Sequence, residues 1–390
     1  MKFLRATRLD QHFISQWWWT IDRWMLAGVC ALFMIGMTLV MAASPAVAER
    51  IGSDYSHFIM RHILVMGPAF IMMITLSFMS ERQIWRAGTI ALLLTLVCMV
   101  LVLFLGTEIK GAQRWLALPG FSLQPSEFVK PAFAVFAAWL IARQKEQNAF
   151  PGNILAAIVY VTIITLLMLQ PDLGMSFVVT LIFAAQIFLA GLPFRYMLGF
   201  LVVGVVALAC AYIVFPHVHS RMNRFLDPDS GDTYQIEKSI EAIKNGGLTG
   251  TGPGQGTVKM RLPDAHADFI FSVGAEEFGF GFAVLLIGLY GFIIWRGVQH
   301  LTSANNIFVI LAGGGLLTMF GLQALIHMGS AMSLLPTKGM TLPFISYGGS
   351  SMLSMGFAFG ILLALTRRSR KTSISRTSLS GTPRAERLWS

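Results

Sequence analysis

The chain has 390 residues, of which 55% are hydrophobic and only 12% are charged. Soluble domains carry about twice that share of charged residues, and a soluble fold of this length could not bury so many apolar side chains. The composition therefore excludes a soluble globular protein and predicts an integral membrane protein. The net charge of +10 does not indicate nucleic acid binding, because many of the cations lie in the two tails and the short loops.

Ten apolar runs are long enough to cross a bilayer, for which a helix needs about 17–25 residues. They lie at 24–44, 62–80, 87–106, 127–143, 152–169, 173–191, 195–215, 269–295, 305–328 and 342–366. Backbone groups in lipid must hydrogen-bond within their own segment, so these runs are predicted as helices. The predicted fold class is an all-α polytopic membrane protein with about ten transmembrane helices.

Charges in the short connections predict the orientation of these helices. With ten helices, the cations of the tails and of alternate connections fall on one side, which the positive-inside rule makes cytoplasmic. Both termini are then cytoplasmic, and a large extracytoplasmic loop at 216–268 joins helices 7 and 8. Residues 1–23 form a cytoplasmic tail, 24–366 the membrane domain, and 367–390 a basic cytoplasmic tail predicted to be disordered. Four tryptophans within 17–24 predict an aromatic belt at the membrane interface.

Charged residues at the start of the fourth predicted helix are the first candidates for chemistry. Glu127 and Lys130 are three residues apart and share a helix face. Two interpretations stay open: a buried ion pair that holds the helix in the bundle, or a charged wall of a substrate cavity. Just before them, Lys110 and Arg114 place cations beside the ring of Trp115, which suits a pyrophosphate and a sugar but is also usual at interfaces.

Further polar candidates lie at an outer turn and in the large loop. Asp172 is at a helix start, where it is either a cap or part of a site. The large loop contains Arg221, Arg224, Gln235 and a glycine-rich stretch at 246–256. This stretch lacks the Lys-Ser/Thr pair of a nucleotide P-loop. It either approaches a phosphate or sugar through bare backbone or is a flexible connection.

The large loop then enters the eighth predicted helix through an acidic segment. Asp268 is predicted to lie where water, the loop and the membrane mouth meet. Glu276 and Glu277 follow about 12 Å further along the helix at 1.5 Å per residue. Carboxylates at that depth predict a polar cavity rather than contact with lipid. Asp264 and His266 would suit a metal ion, but no further ligand completes the set, so no metal site is predicted.

The last helix has an irregular start. Two prolines, two adjacent glycines and several hydroxyl groups, among them those of Ser346 and Ser350, precede or open it. Such backbone at membrane depth is tolerated only where it lines a cavity in the protein. Lys338 adds another cation on the outer side.

Five of these motifs, in this order, resemble the SEDS family (shape, elongation, division and sporulation) of polytopic peptidoglycan polymerases. They are Gly111-Ala-Gln-Arg-Trp115, Gln124-Pro-Ser-Glu-Phe128, Gln170-Pro-Asp-Leu-Gly174, Pro263-Asp-Ala-His-Ala-Asp-Phe-Ile-Phe271 with Glu276-Glu277, and Leu335-Pro-Thr-Lys-Gly339 through Ser346-Tyr-Gly-Gly-Ser-Ser351. The resemblance covers about residues 55–365 and is closer to the cell-division branch than to the elongation branch. The sequence departs from the family at Asp264, Ala267 and His327, where Glu, Thr or Ser, and Asn are frequent.

The resemblance implies glycosyl transfer with lipid II, a disaccharide-pentapeptide on undecaprenyl pyrophosphate, at the outer face of the bacterial cytoplasmic membrane and, for the division branch, at the septum. Asp268 matches the catalytic acidic residue of the family and is the candidate base. Substrate contacts are predicted for Lys110, Arg114, Trp115, Glu127, Lys130, Asp172, Arg221, Arg224, Gln235, His266, Glu276, Glu277, Lys338, Ser346 and Ser350. The implied partners are a class B penicillin-binding protein transpeptidase and other divisome membrane proteins. A divalent cation, Mg²⁺ or Mn²⁺, is left open.

Two other functions compete with the polymerase. A lipid II flippase would need polar sites near the midplane, on broken helices in repeated halves. The sequence shows no such repeat and concentrates its charges towards the outer mouth. A non-catalytic division scaffold does not explain the deep carboxylates, and it would tolerate Asp268→Asn.

Overall fold

The structure is a computed structural model. It describes residues 13–52, 55–109, 112–118, 121–191, 234–336 and 339–367, with a few isolated positions between 199 and 223. Several predicted features lie outside these ranges: both ends of the chain, most of the predicted helix at 195–215, and Lys110, Arg221, Arg224 and Lys338.

The described ranges contain eleven α-helices and one small sheet. The helices are α1 (Phe13–Thr20), α2 (Arg23–Ile51), α3 (Tyr55–Ser77), α4 (Glu81–Leu105), α5 (Pro125–Glu146), α6 (Gly152–Leu169), α7 (Leu173–Leu189), α8 (Tyr234–Gly246), α9 (Ile270–Thr302), α10 (Ile307–Ala331) and α11 (Gly349–Leu365). Between α4 and α5, strands β1 (Thr107–Ile109), β2 (Ala112–Leu118) and β3 (Phe121–Leu123) form an antiparallel sheet in the order β1-β2-β3. A 3₁₀ turn covers Val258–Arg261.

Seven of the described helices, α2 to α6, α9 and α10, are long and apolar enough to cross a membrane, and α7 and α11 are shorter apolar helices. These nine helices correspond to nine of the ten predicted spans, so the predicted helical membrane fold is confirmed. The count of ten stays a prediction, because 195–215 is largely outside the described residues. The sheet at 107–123 and the amphipathic helix α8 are not foreseen from the sequence.

Helix α5 occupies the centre of the bundle. It packs against α4, α6, α7, α10 and α11. In the most apolar part of α5, 83% of the residues are buried inside the protein, whereas the corresponding share is 22% in α3 and in α6. Five alanines between 132 and 142 are buried, and small side chains allow neighbouring helices to approach closely. The charged residues at the start of α5 therefore enter the interior of the protein and not lipid.

The bundle has two distinct ends. We call the end that carries the sheet, α8 and Asp268 the loop end, and the end that carries α1 and the last residues of α11 the tail end. At the tail end, the buried Asp22 carboxylate accepts a hydrogen bond from Arg296 Nε at 2.7 Å and contacts His300, which ties the start of α2 to the end of α9. Burial opposes ionisation, but the bonds from His300, Met25 and Arg296 lower the pKa of Asp22 to about 2.

Candidate active site

Asp268 lies in a tight turn two residues before α9 begins. The backbone amides of Ala267 and Asp268 both donate to the carbonyl of Asp264 at 3.0 Å. Asp264 has φ of +51°, a left-handed conformation that aspartate tolerates better than most residues. His266 and Phe269 are buried, whereas Asp268 is partly exposed. The turn therefore presents the Asp268 carboxylate at the loop end of the bundle.

Room beside this carboxylate is provided by a glycine. A Cβ atom at Gly339 would lie 2.7 Å from Asp268 Oδ2. Any side chain at this position would displace the carboxylate or be displaced by it. Gly339 directly follows Lys338, so the segment before the last helix runs alongside Asp268.

The same segment holds the Asp268 turn in place. Ser346 Oγ donates to the carbonyl of Ala267 at 2.7 Å and accepts from the amide of Leu342 at 2.8 Å. The amide of Tyr347 donates to the carbonyl of His266 at 3.0 Å. The helix α11 begins only at Gly349, seven residues after the predicted start, because this non-helical stretch bonds to the turn. Ser346 thus positions the turn through its backbone, and its predicted contact with substrate stays a prediction.

Two buried histidines lie next to this turn. His62 on α3 and His266 both contact Tyr347, with ring centroids 6.3 and 4.8 Å from the tyrosine ring, and Phe58 packs on His266 at 5.0 Å. Their exposed fractions are 3% and 7%, and within the described residues His62 Nε2 and His266 Nδ1 have no hydrogen-bond partner. His62 was not recognised in the sequence, because a single histidine at the start of an apolar run is usually a core residue.

His266 is expected to make the protein sensitive to acid. Burial lowers the pKa of His266 to about 4, against the opposing effect of Asp264. Between pH 6.5 and 4 the unfolded chain therefore binds the proton that the folded chain refuses, so stability falls as the pH falls. From pH 7.5 to 5 the loss is roughly 2 kcal/mol. Thermal unfolding at pH 7.5 and 5 should show a smaller loss for His266→Gln than for wild type, and equal losses would contradict this.

Arg114 joins the sheet to the turn between α6 and α7. Its Nε donates to the carbonyl of Gln170 at 3.1 Å and its Nη2 to the carbonyl of Pro171, while Nη1 lies 3.8 Å from Asp172 Oδ2. Asp172 also caps α7 by accepting from the amide of Met175 at 3.2 Å. The structure thus brings Arg114 and Asp172 together and shows the capping role for Asp172. The neighbouring Trp115 pairs with Thr107 of β1.

Glu127 and Lys130 form a buried ion pair at the start of α5. Lys130 Nζ lies 2.8 Å from Glu127 Oε2, and the two side chains are 0% and 5% exposed in that order. Ser354 of α11 donates to the carbonyl of Glu127 at 2.7 Å. On the same side, Ser350 Oγ accepts from the amide of Gln124 at 2.9 Å and donates to a carbonyl of β3 at 3.1 Å. These contacts connect α5, α11 and the sheet.

Glu276 and Glu277 are fully buried at the start of α9, and protein groups surround them. Glu276 accepts from the amides of Val258 at 2.8 Å and Lys259 at 2.9 Å, and from Asn245 Nδ2 at 2.9 Å. Glu277 forms an ion pair with Lys259, whose ammonium also donates to the carbonyl of Ala42 at 2.9 Å. The surroundings are polar, as expected from their depth. These bonds hold the segment 245–259 against α9, and the predicted contact of Glu276 and Glu277 with substrate stays a prediction.

The glycine-rich stretch fills a break in α9. The helix is interrupted at Gly279, which has φ of +76°. The amides of Thr251 and Gly252 donate to the carbonyls of Glu276 and Glu277 at 2.9 and 3.0 Å, so the carbonyls freed by the break are paired. This segment of the stretch is therefore a specific structural contact and not a flexible connection.

Alanine substitutions in this stretch should separate the loss of stability caused by a steric clash from the loss caused by backbone strain. Gly250 and Gly254 have similar φ values, +82° and +78°, so both variants bear the left-handed penalty. A Cβ at Gly250 would lie 2.1 Å from the carbonyl oxygen of Glu277, whereas nothing lies within 4 Å of one at Gly254. Gly250→Ala should therefore cost about 1–3 kcal/mol more than Gly254→Ala. Thermal unfolding of the two variants measures this difference, and equal melting temperatures would contradict the docked loop.

The remaining predicted residues are less constrained. Gln235 is exposed in the first turn of α8. Within the described ranges, no cluster of three or more His, Cys, Asp or Glu side chains suits a metal ion.

Lys259 was missed in the sequence, where a single lysine between the glycine-rich stretch and Pro263 gives no sign of its partner 18 residues further on.

Comparison with known proteins identifies relatives over nearly the full chain. A protein called "Probable peptidoglycan glycosyltransferase FtsW" from Caulobacter vibrioides is 43% identical over 362 residues, which cover 93% of each chain. One of the same name from Thiomicrospira cyclica is 36% identical over 369 residues, covering 90% of this chain and 92% of the relative.

Solved structures show the same architecture. A chain of a peptidoglycan synthase complex, described as coordinating polymerization and crosslinking, superposes with a TM-score of 0.73 at 26% identity, covering 89% of this chain and 97% of that one. The Rod shape determining protein RodA of Thermus thermophilus superposes with a TM-score of 0.66 at 27% identity, covering 88% and 96%. The family model for FtsW, RodA and SpoVE, described as "Cell cycle protein", matches residues 23–371. These matches confirm the resemblance indicated by the five motifs, and the chain belongs to this family.

Proposed function

We propose that this protein is a peptidoglycan glycosyltransferase that polymerises lipid II into glycan strands for septal wall synthesis during cell division. The observation that supports this most strongly is the 43% sequence identity, over 93% of each chain, to a protein named as a probable peptidoglycan glycosyltransferase. The geometry agrees with it, because Asp268 is partly exposed on a turn braced by Ser346 and Tyr347.

In the proposed reaction, Asp268 is the general base. It accepts the proton of the acceptor sugar hydroxyl as that oxygen attacks the anomeric carbon of the donor. The bond from that carbon to the pyrophosphate breaks, and the pyrophosphate leaves on its lipid. One displacement inverts an α-linked donor into a β-linked product, as in inverting glycosidases. The base is supplied by one carboxylate, and no covalent sugar intermediate is required.

Cations at the loop end are proposed to stabilise the leaving pyrophosphate. Arg114 is held by two backbone carbonyls, which fixes its guanidinium while leaving the side chain 24% exposed. A fixed guanidinium pairs well with phosphate oxygens. Lys110, Arg221, Arg224 and Lys338 are proposed as further cations on sequence grounds. A divalent ion, Mg²⁺ or Mn²⁺, would add to this charge, and an assay with and without EDTA tests its requirement.

We also propose that the protein works with a class B penicillin-binding protein and other divisome proteins in the cytoplasmic membrane at the septum. A complex of polymerization and crosslinking is described for a structural neighbour. The proposed orientation places the loop end outside, where lipid II is polymerised, and both termini in the cytoplasm.

The direct test is polymerisation of labelled lipid II by the purified chain, with and without its cognate class B partner. We expect long glycan products from wild type and none from Asp268→Ala. A flippase would instead move lipid II across vesicle membranes without forming glycan. A scaffold would do neither and would support division with Asp268→Asn. Either of the last two results would overturn the polymerase.

A further inference from the structure

The tail end contains a cavity of about 610 Å³ that belongs to none of the groups around Asp268. It opens where α1, the turn between α3 and α4, and the end of α11 meet. The cavity is lined by Trp17, Met79, Glu81, Arg82, Leu365 and Arg367, among others. The spans of α3, α4 and α11 end or begin at Ser77, Glu81 and Leu365. The cavity therefore lies at the level where hydrocarbon gives way to lipid headgroups.

Two guanidinium groups in this cavity have no anionic partner among the described residues. Arg82 is exposed, and no bond to it is found in the described part of the chain. Arg367 donates to the carbonyl of Met79 at 2.8 Å, a neutral acceptor. Burial lowers the pKa of Arg367, as expected for a cation that loses water without gaining an anion. The lining carboxylate, Glu81, accepts from Asn306 at 2.5 Å.

The helix α1 sets this cavity against the membrane surface. Trp17 points inwards, donating to Ser77 Oγ at 2.8 Å and stacking on Phe78 at 4.8 Å. Trp18 and Trp19 are exposed, and the Arg23 guanidinium lies 5.1 and 4.6 Å from their rings. Exposed tryptophans beside a cation are typical of the headgroup region. In the proposed orientation the tail end is on the cytoplasmic side of the membrane. Basic pockets between transmembrane helices on that side bind anionic headgroups.

We propose that this cavity binds an anionic phospholipid, with Arg82 and Arg367 contacting its phosphate and with Met79 and Leu365 beside its glycerol and upper acyl chain. The bound lipid would bridge α1, α4 and α11. The two tails are weaker candidates for the occupant, because the segment after Arg367 begins Arg-Ser-Arg-Lys and residues 1–8 contain three cations and no acid. Like charges would repel both from the two guanidinium groups.

The test uses the full-length protein in detergent and does not depend on polymerisation. Phosphatidylglycerol or phosphatidylcholine with identical acyl chains is added, and retained lipid is counted by native mass spectrometry while thermal unfolding is followed in parallel. We expect phosphatidylglycerol to be retained and to raise the melting temperature more than phosphatidylcholine. Removing both cations in Arg82→Gln/Arg367→Gln should weaken phosphatidylglycerol binding about 25-fold, at about fivefold for each guanidinium.

Arg86→Gln is the matched control. It removes the same charge one helical turn from Arg82, but its guanidinium lies over the Trp85 ring at 5.5 Å and does not line the cavity. It should leave phosphatidylglycerol binding unchanged. If the double variant unfolds, Arg82→Gln alone serves, since no described contact depends on that side chain. Equal binding of the two lipids, equal loss with Arg86→Gln, or full replacement of phosphatidylglycerol by inorganic phosphate would overturn the proposal.

Discussion

Replacing Asp268 with asparagine is expected to lower the rate of lipid II polymerisation by roughly 100- to 10,000-fold, the usual contribution of a general base. Asparagine has nearly the same shape but cannot accept the proton of the acceptor hydroxyl. The turn should survive, because the amides of Ala267 and Asp268 donate to the backbone carbonyl of Asp264, and neither bond involves the replaced carboxylate. The measurement is the initial rate of glycan formation, together with the melting temperature of the purified variant.

Asp264→Asn is the control for this variant. It removes a carboxylate from the same turn, and asparagine tolerates the left-handed backbone at this position as well as aspartate does. This variant should keep most of the polymerase activity. A normal rate for Asp268→Asn would exclude Asp268 as the base. Equal losses in the two variants would show that the turn needs both charges and that neither is specifically the base.

Breaking the buried pair of α5 is expected to have the second large effect. In the wild type, Lys130 Nζ lies 2.8 Å from Glu127 Oε2, and Lys130→Met therefore leaves a buried carboxylate without its cation. Removing one partner of such a pair costs about 3–5 kcal/mol. Glu127→Leu/Lys130→Met removes both charges and should recover most of this loss, because apolar replacements of a buried pair are often neutral. Thermal unfolding of the single and double variants completes the measurement.

Lys238→Met in α8 is the matched control. Lys238 and Glu241 have the same three-residue spacing, but their side chains are 19% and 47% exposed, so the loss should be at most about 1 kcal/mol. Similar losses for both single variants would contradict the role of burial. The activity of the Glu127→Leu/Lys130→Met variant then decides between the two interpretations of the pair. A stable and active protein identifies a structural pair, and a stable but inactive one identifies a substrate contact.

The membrane spans were predictable because the bilayer imposes a length on every apolar run. The irregular entry to the last helix was also foreseen from Pro343 and the two glycines at 348–349. Its later start was not foreseen, because the bonds of Ser346 and Tyr347 to the Asp268 turn join segments about 80 residues apart. The sheet at 107–123 has strands of only three to seven residues, too short for a clear alternation.

The site was predicted by residue type better than by contact. Glycines that could approach a phosphate have the same pattern as glycines that approach a broken helix, so Gly250 and Gly252 did not indicate their actual neighbour. Glu276 is bonded to the backbone amides of Val258 and Lys259, and amides give no signal in a sequence. The pairing of Arg114 with Asp172 joins two motifs that were recognised separately.

The order of these bonded segments along the chain matters when the protein is synthesised and inserted into the membrane. Thr251 and Gly252, which pair with the carbonyls of Glu276 and Glu277, precede them in the chain. With the proposed orientation, a ribosome therefore delivers the capping segment across the membrane before the interrupted helix enters it. The opposite order would expose two unpaired carbonyl groups to hydrocarbon during insertion, at a cost of several kcal/mol each. Synthesis from the amino terminus thus places the amides of Thr251 and Gly252 outside the membrane before the carbonyls that they pair with are inserted.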